Sequence, residues 1–116
     1  MSTPLPGRTV RGSNTGRPIM ALLDLLGRRW VLRILWELKD GPQTFRGLRE
    51  RCENMSPSVL NQRLADLREA GIVEAGDGYS LSREGVRLLD DLAPLHRWAE
   101  RWDKRAAKLT QKRQIT

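Results

Sequence analysis

The sequence predicts a mainly α-helical domain that carries one small two-stranded β-hairpin. Three observations point there. Apolar residues recur three and four positions apart over most of residues 19–109. Gly27, Gly41-Pro42, Pro57 and Gly71 cut that pattern into short pieces. One stretch, residues 72–81, instead sets β-formers on either side of Gly76-Asp77-Gly78.

The elements follow in order. A first helix is expected over residues 19–26, stopping at Gly27; Ile19, Met20, Leu22, Leu23, Leu25 and Leu26 leave Asp24 as its one strongly polar position. A helix this apolar must be covered on more than one side. A second helix is expected over 29–39, with Trp30, Val31, Ile34, Leu35 and Leu38 on one broad face and Leu32 and Trp36 on another that asks for a separate partner. Thr44 caps a third helix over 45–52, whose inward stripe is Phe45, Leu48 and Cys52. After the short link Glu53-Asn54-Met55, Ser56 caps a fourth helix that opens on Pro57, where the missing N–H costs nothing, and ends at Gly71. Leu60, Leu64 and Leu67 are its buried stripe. The hairpin follows, and Ser82 then caps a last helix reaching about residue 109, with Pro94 inside it. Residues 1–17 are expected to be a flexible basic arm, 18–110 the folded domain and 111–116 a frayed tail.

Composition excludes several classes. One cysteine, Cys52, gives no internal disulfide and fits a reducing cytoplasm. No apolar run has transmembrane length and no secretory signal is visible, so no membrane association is expected. The net charge of +7 sits at the ends: residues 1–17 carry +3 and 101–116 carry +5, which leaves −1 for residues 18–100. A case for a polyanionic partner must therefore rest on where individual arginines fall. His96 is the single histidine, so a zinc site and a nucleophile triad are both out of reach. Asp90 and Asp91, adjacent on a helix, diverge. No cofactor, no metal and no enzymatic activity are expected.

Two helices joined by a short turn and followed by a hairpin form a winged helix-turn-helix. The third helix braces the fourth, which can then offer its polar face to a major groove wide enough for one helix. Opposite the leucine stripe lie Ser58, Gln62, Ala65 and Glu69, with Asn61 beside them. Ser56, Ser58, Asn61 and Gln62 occupy the half that reaches base edges. Gln or Asn can pair with adenine, and Ser with several bases. Arg63 and Arg68 flank this face, and Arg46 and Arg49 stand on the third helix; these four suit phosphates.

The stretch Pro18-Ile19 to Leu26-Gly27, then Arg29-Trp30, Ile34-Leu35, Gly41-Pro42, Phe45, Leu48, Ser56, Leu60, Leu64, Leu67, Ala70-Gly71-Ile72-Val73, Tyr79-Ser80-Leu81-Ser82, Gly85, Leu88, Leu92, Leu95 and Trp98 resembles the HxlR family of transcription regulators. The resemblance spans about residues 17–102. It implies a winged-helix homodimer on double-stranded operator DNA, dimerising through the first and last helices. Leu22, Leu25, Trp36, Leu95, Trp98 and Trp102 are the interface residues this implies. Two features depart from the family pattern. Arg17 stands where many members have a redox-sensing cysteine, and the short wing holds Glu74 and Asp77 with no Lys or Arg. Arg8 and Arg11, or Lys104, Arg105 and Lys108, are candidates to replace the wing's contact.

Two rival readings follow from the same residues. A nearly neutral body and an acidic wing suit a protein–protein module. Trp30, Trp36, Trp98 and Trp102 suit either core and dimer packing or a pocket for an aromatic small-molecule effector. Cys52 reads as core filler, with a thiol sensor as the alternative because Arg49 and Arg51 stand nearby.

Overall fold

The computed structural model describes residues 3–8 and 16–115. The chain falls into two compact units, the first ending at Val86 and the second beginning at Arg87. Its elements are α1 (Pro18–Leu26), α2 (Val31–Leu38), α3 (Phe45–Arg51), α4 (Pro57–Glu69), β1 (Val73–Ala75), β2 (Tyr79–Leu81) and α5 (Arg83–Ile115).

The first unit is built on α2, α3 and α4. Val31, Ile34, Leu35 and Leu38 of α2 meet Leu48 of α3 and Leu60, Leu64 and Leu67 of α4 in the core, joined by Cys52 and Met55. Each such side chain contributes about 1.5–3 kcal/mol when fully buried, so the leucine spacing of α4 fixes which flank turns inward. The expected caps are present. The Thr44 hydroxyl accepts from Gly47 N, that of Ser56 from Val59 N, and that of Ser82 from Gly85 N.

Helix α2 starts two residues later than its apolar pattern suggests. Trp30 holds a left-handed φ of 77° and ends the turn from α1 instead of entering the helix. Such a conformation costs an L-residue about 1–2 kcal/mol. Val31 N bonds Arg28 O across this turn, and the Arg29 guanidinium lies 5.6 Å from the Trp30 ring centroid.

The α3–α4 turn is equally tight. Glu53 and Asn54 are successive left-handed residues, with φ of 60° and 55°. Arg49 clamps them: its carbonyl accepts from Asn54 N, and its guanidinium donates to Met55 O at 2.7 Å and to Asn54 O at 3.4 Å.

The hairpin pairs Val73 with Leu81, Glu74 with Ser80 and Ala75 with Tyr79, antiparallel. Gln43, between α2 and α3, adds a bridge to Tyr79, donating its N–H to Tyr79 O at 2.9 Å and accepting from Tyr79 N at 2.8 Å. The first turn of α5 lies against the start of the hairpin. A Cβ on Gly85 would overlap the Ile72 carbonyl oxygen, so only glycine permits that approach.

The second unit is the remainder of α5. The helix runs through Pro94 and on to Ile115, beyond the end near residue 109 that composition suggests. Polar side chains do not stop a helix here, and the Thr110 hydroxyl donates back to Ala106 O within it. Leu95, Trp98, Trp102 and Leu109 are exposed on it. The rings of Trp98 and Trp102 stack with centroids 5.7 Å apart. No described helix is long and apolar enough to cross a membrane.

Candidate nucleic-acid interface

Helix α4 presents its polar flank outward. Ser58, Asn61, Gln62, Ala65 and Glu69 are all exposed, opposite the buried Leu60, Leu64 and Leu67. Ser56, also exposed, sits at the helix start with its hydroxyl 3.0 Å from that of Ser58. These small groups and amides lie on the half of the helix nearest the α3–α4 turn.

The four arginines divide into two pairs. Arg46 is exposed on α3, 3.3 Å from Glu50, and Arg68 is exposed near the end of α4. Arg49 and Arg63 are half-buried and hold backbone. Arg49 clamps the α3–α4 turn, and Arg63 Nε donates to Arg29 O at 2.9 Å, tying α4 to the turn before α2. A carbonyl oxygen concentrated at a turn is a strong partner for a guanidinium fork, which sequence position alone does not reveal.

Asp66 is the feature that sequence reading missed. It lies one helical turn beyond Gln62, off the leucine stripe, and yet is 2% exposed. The Thr3 hydroxyl donates to its Oδ1 at 3.0 Å, as does Gln62 Nε2 at 3.0 Å; Arg28 Nη1 lies 3.1 Å from Oδ2. Arg63 Nη1 stands 3.8 Å from the same Oδ2. Arg8 reaches Glu69 of α4 at 3.4 Å. Thus residues 3–8, expected as part of a loose arm, lie along α4, with Thr3 itself buried. Arg11 lies outside the described residues.

The apolar surface also differs in detail. Leu25 is 3% exposed and belongs to the chain's own core, because the 3.6-residue period turns it inward with Ala21. Ile19 and Leu23 are the exposed apolar residues of α1, and Leu22 is half-buried between these extremes. Leu32 and Trp36 stand exposed on α2, with Lys39 Nζ 4.6 Å from the Trp36 ring centroid. Trp30 lines a surface cleft of about 400 Å³ together with Leu26, Arg29, Leu32 and Glu53. Cys52 is buried in the core; burial pushes its thiol up, Arg33 opposes that, and Glu37 and Glu53 add to it. The wing carries Glu74 and Asp77 exposed.

A braced helix with an open polar flank, a tight turn before it and a hairpin after it define a winged helix-turn-helix DNA-binding protein. The family model described as HxlR-like helix-turn-helix matches residues 25–107, and the chain belongs to that family of transcription regulators. It is 32% identical to the HTH-type transcriptional regulator YvaP of Bacillus subtilis over 88 residues, 69% of this chain and 82% of that protein. The quinone-bound structure of YodB from B. subtilis superposes with a TM-score of 0.68 at 31% identity, covering 72% of this chain and 96% of that one. A possible HxlR family transcriptional factor from Thermoplasma volcanium gives a TM-score of 0.62 at 29% identity, covering 72% and 82%.

Proposed function

We propose that this regulator acts in the cytoplasm as a homodimer that binds a two-fold operator, with one α4 in each of two successive major grooves, and represses by occupying it. The observation that carries the reading is the exposed row Ser58, Asn61 and Gln62 directly opposite a leucine-anchored core face. These three read bases. Arg46 and Arg68 contact phosphates, while Arg49 and Arg63 position the turns that aim α4 and lend their remaining N–H groups to the backbone. Ser56 sits where the helix N-terminus meets a phosphate. Half-sites then lie about 34–36 Å apart. The exposed apolar residues of the first and last helices, Leu95, Trp98 and Trp102 among them, form the dimer contact together with the half-buried Leu22.

The test starts from duplexes selected out of a random pool by the full chain, titrated in mobility shifts at several salt concentrations. Gln62→Ala is expected to relax preference at one base pair of each half-site, by about 1–3 kcal/mol. Arg68→Ala is expected to weaken all sequences alike and to lower the salt slope by about 1. A pool that yields no preferred sequence, with both variants binding as the parent does, overturns the reading in favour of a protein–protein module.

A second reading has one observation behind it: the similar protein YodB has been solved bound to a quinone. Arg17 replaces the family's cysteine here, so an effector would bind without a thiol at that position. The cleft beside Trp30 is a candidate place. Tryptophan quenching by a simple quinone, absent in Trp30→Phe, supports it; unaltered emission removes it.

A further inference from the structure

Asp66 is buried, charged and on the helix that faces DNA, a costly arrangement unless each oxygen is matched. Both are: Oδ1 accepts from Thr3 and Gln62, and Oδ2 from Arg28. We infer that Asp66 is a positioning residue for base recognition: it fixes the Gln62 amide with nitrogen turned to the protein and oxygen turned to the groove, so that α4 selects an amino base over a keto base. The inference rests on the reading that α4 lies in the major groove.

The argument is one of donors and acceptors. A carboxylate can only accept, so the end of the amide that faces Asp66 must be Nε2. The 3.0 Å contact is of that kind. That assignment leaves Oε1, at the other end of the planar group, as the end offered to a base. In the major groove adenine N6 and cytosine N4 donate, whereas the corresponding edges of guanine and thymine offer acceptors. An outward Oε1 therefore suits adenine or cytosine on the contacted strand. Adenine suits it best, because the second Nε2 hydrogen can reach N7. A glutamine free to turn its amide over reads either pattern and discriminates less. The orientation is thus set from outside α4, by Thr3 and by Arg28 in the α1–α2 turn, which keep Asp66 in place.

The experiment compares base preferences, position by position, in pools selected by the full-length parent and three variants. Gln62→Ala flattens preference at one base pair. Asp66→Asn alters the same base pair, losing at least about tenfold discrimination between amino and keto bases, because its oxygen stays with Arg28 and its amide nitrogen then favours Gln62 Oε1 over Nε2. The double variant Gln62→Glu with Asp66→Asn restores the amino-base preference, since the new amide donates to the new carboxylate and leaves an oxygen outward. Other positions stay as they were, which a general folding defect does not allow. Loss confined to Gln62→Ala, with Asp66→Asn reading as the parent, overturns the positioning role alone. No change in Gln62→Ala overturns the groove reading and the inference with it. Should Asp66→Asn fail to fold, the parent's Gln62 side-chain amide, assigned by its loss in Gln62→Ala, decides by NMR. A shifted, slowly exchanging proton supports the bond to Asp66, and a resonance at the position of a free glutamine refutes it.

Discussion

Removing Arg28 is the most direct perturbation of the network beneath α4. Its Nη1 stands 3.1 Å from Asp66 Oδ2, with side-chain exposures of 14% and 2%. Breaking a pair this buried from one side costs about 3–5 kcal/mol, mostly because the remaining charge is stranded. Asp66 keeps some help: the Thr3 hydroxyl and Gln62 amide remain at 3.0 Å, and Arg63 stands at 3.8 Å. Hydrogen bonds to a charged group contribute about 1.5–3 kcal/mol each, so the expected loss for Arg28→Ala falls below that range, at about 2–3 kcal/mol. Neutralising the stranded acid should recover part of it, so Arg28→Ala with Asp66→Asn is expected to be more stable than Arg28→Ala alone. Urea unfolding followed by tryptophan fluorescence measures both, at one protein concentration throughout. A loss under about 0.5 kcal/mol for Arg28→Ala, or strict additivity in the cycle, would show that the pair behaves like an exposed one and would refute the reasoning.

Two further outcomes are expected. Gly85→Ala should destabilise by about 1–3 kcal/mol through overpacking against the Ile72 carbonyl, although the same change in an open helix gains about 1 kcal/mol; a raised melting temperature contradicts the close approach. The Cys52 thiol, raised chiefly by burial, should resist iodoacetamide in the folded protein and react quickly once urea unfolds it, and equal rates in the two states refute this. The sign for stability follows from the same shift. The folded state favours the protonated thiol, so the contribution is full below the unfolded thiol's pKa. It is lost as pH rises through the folded value.

Much of the fold was legible in the sequence because its signals are local. Leucines at 60, 64 and 67 fix the inward flank of α4, and Thr44, Ser56-Pro57 and Ser82 mark three helix starts that the structure keeps. What stayed hidden depends on residues distant along the chain. Periodicity runs straight through Trp30, yet the turn from α1 takes it out of the helix. Asp66 looks like one more solvated acid until Thr3, 63 residues away, and Arg28, 38 away, are placed on it. Arg49 and Arg63 read as phosphate ligands by position, and only the folded turns show the carbonyls they hold. The third backbone partner of the hairpin is a single residue, Gln43, too short to leave a strand pattern.

The Gln43 bridge also partitions the wing. Two strands of three residues are marginal by themselves in water, and the pairing of Tyr79 to Gln43 fastens the second strand, at its turn end, to the connector between α2 and α3. Gly78 lies under the Gln43 carbonyl with no room for a side chain, while a Cβ on Gly76 meets nothing within 4 Å. Lengthening at 76–77 therefore adds a fingertip without loosening the knuckle, whereas a change at 78 pries the knuckle apart. Reach and anchorage in this wing can be engineered, or drift, independently of each other.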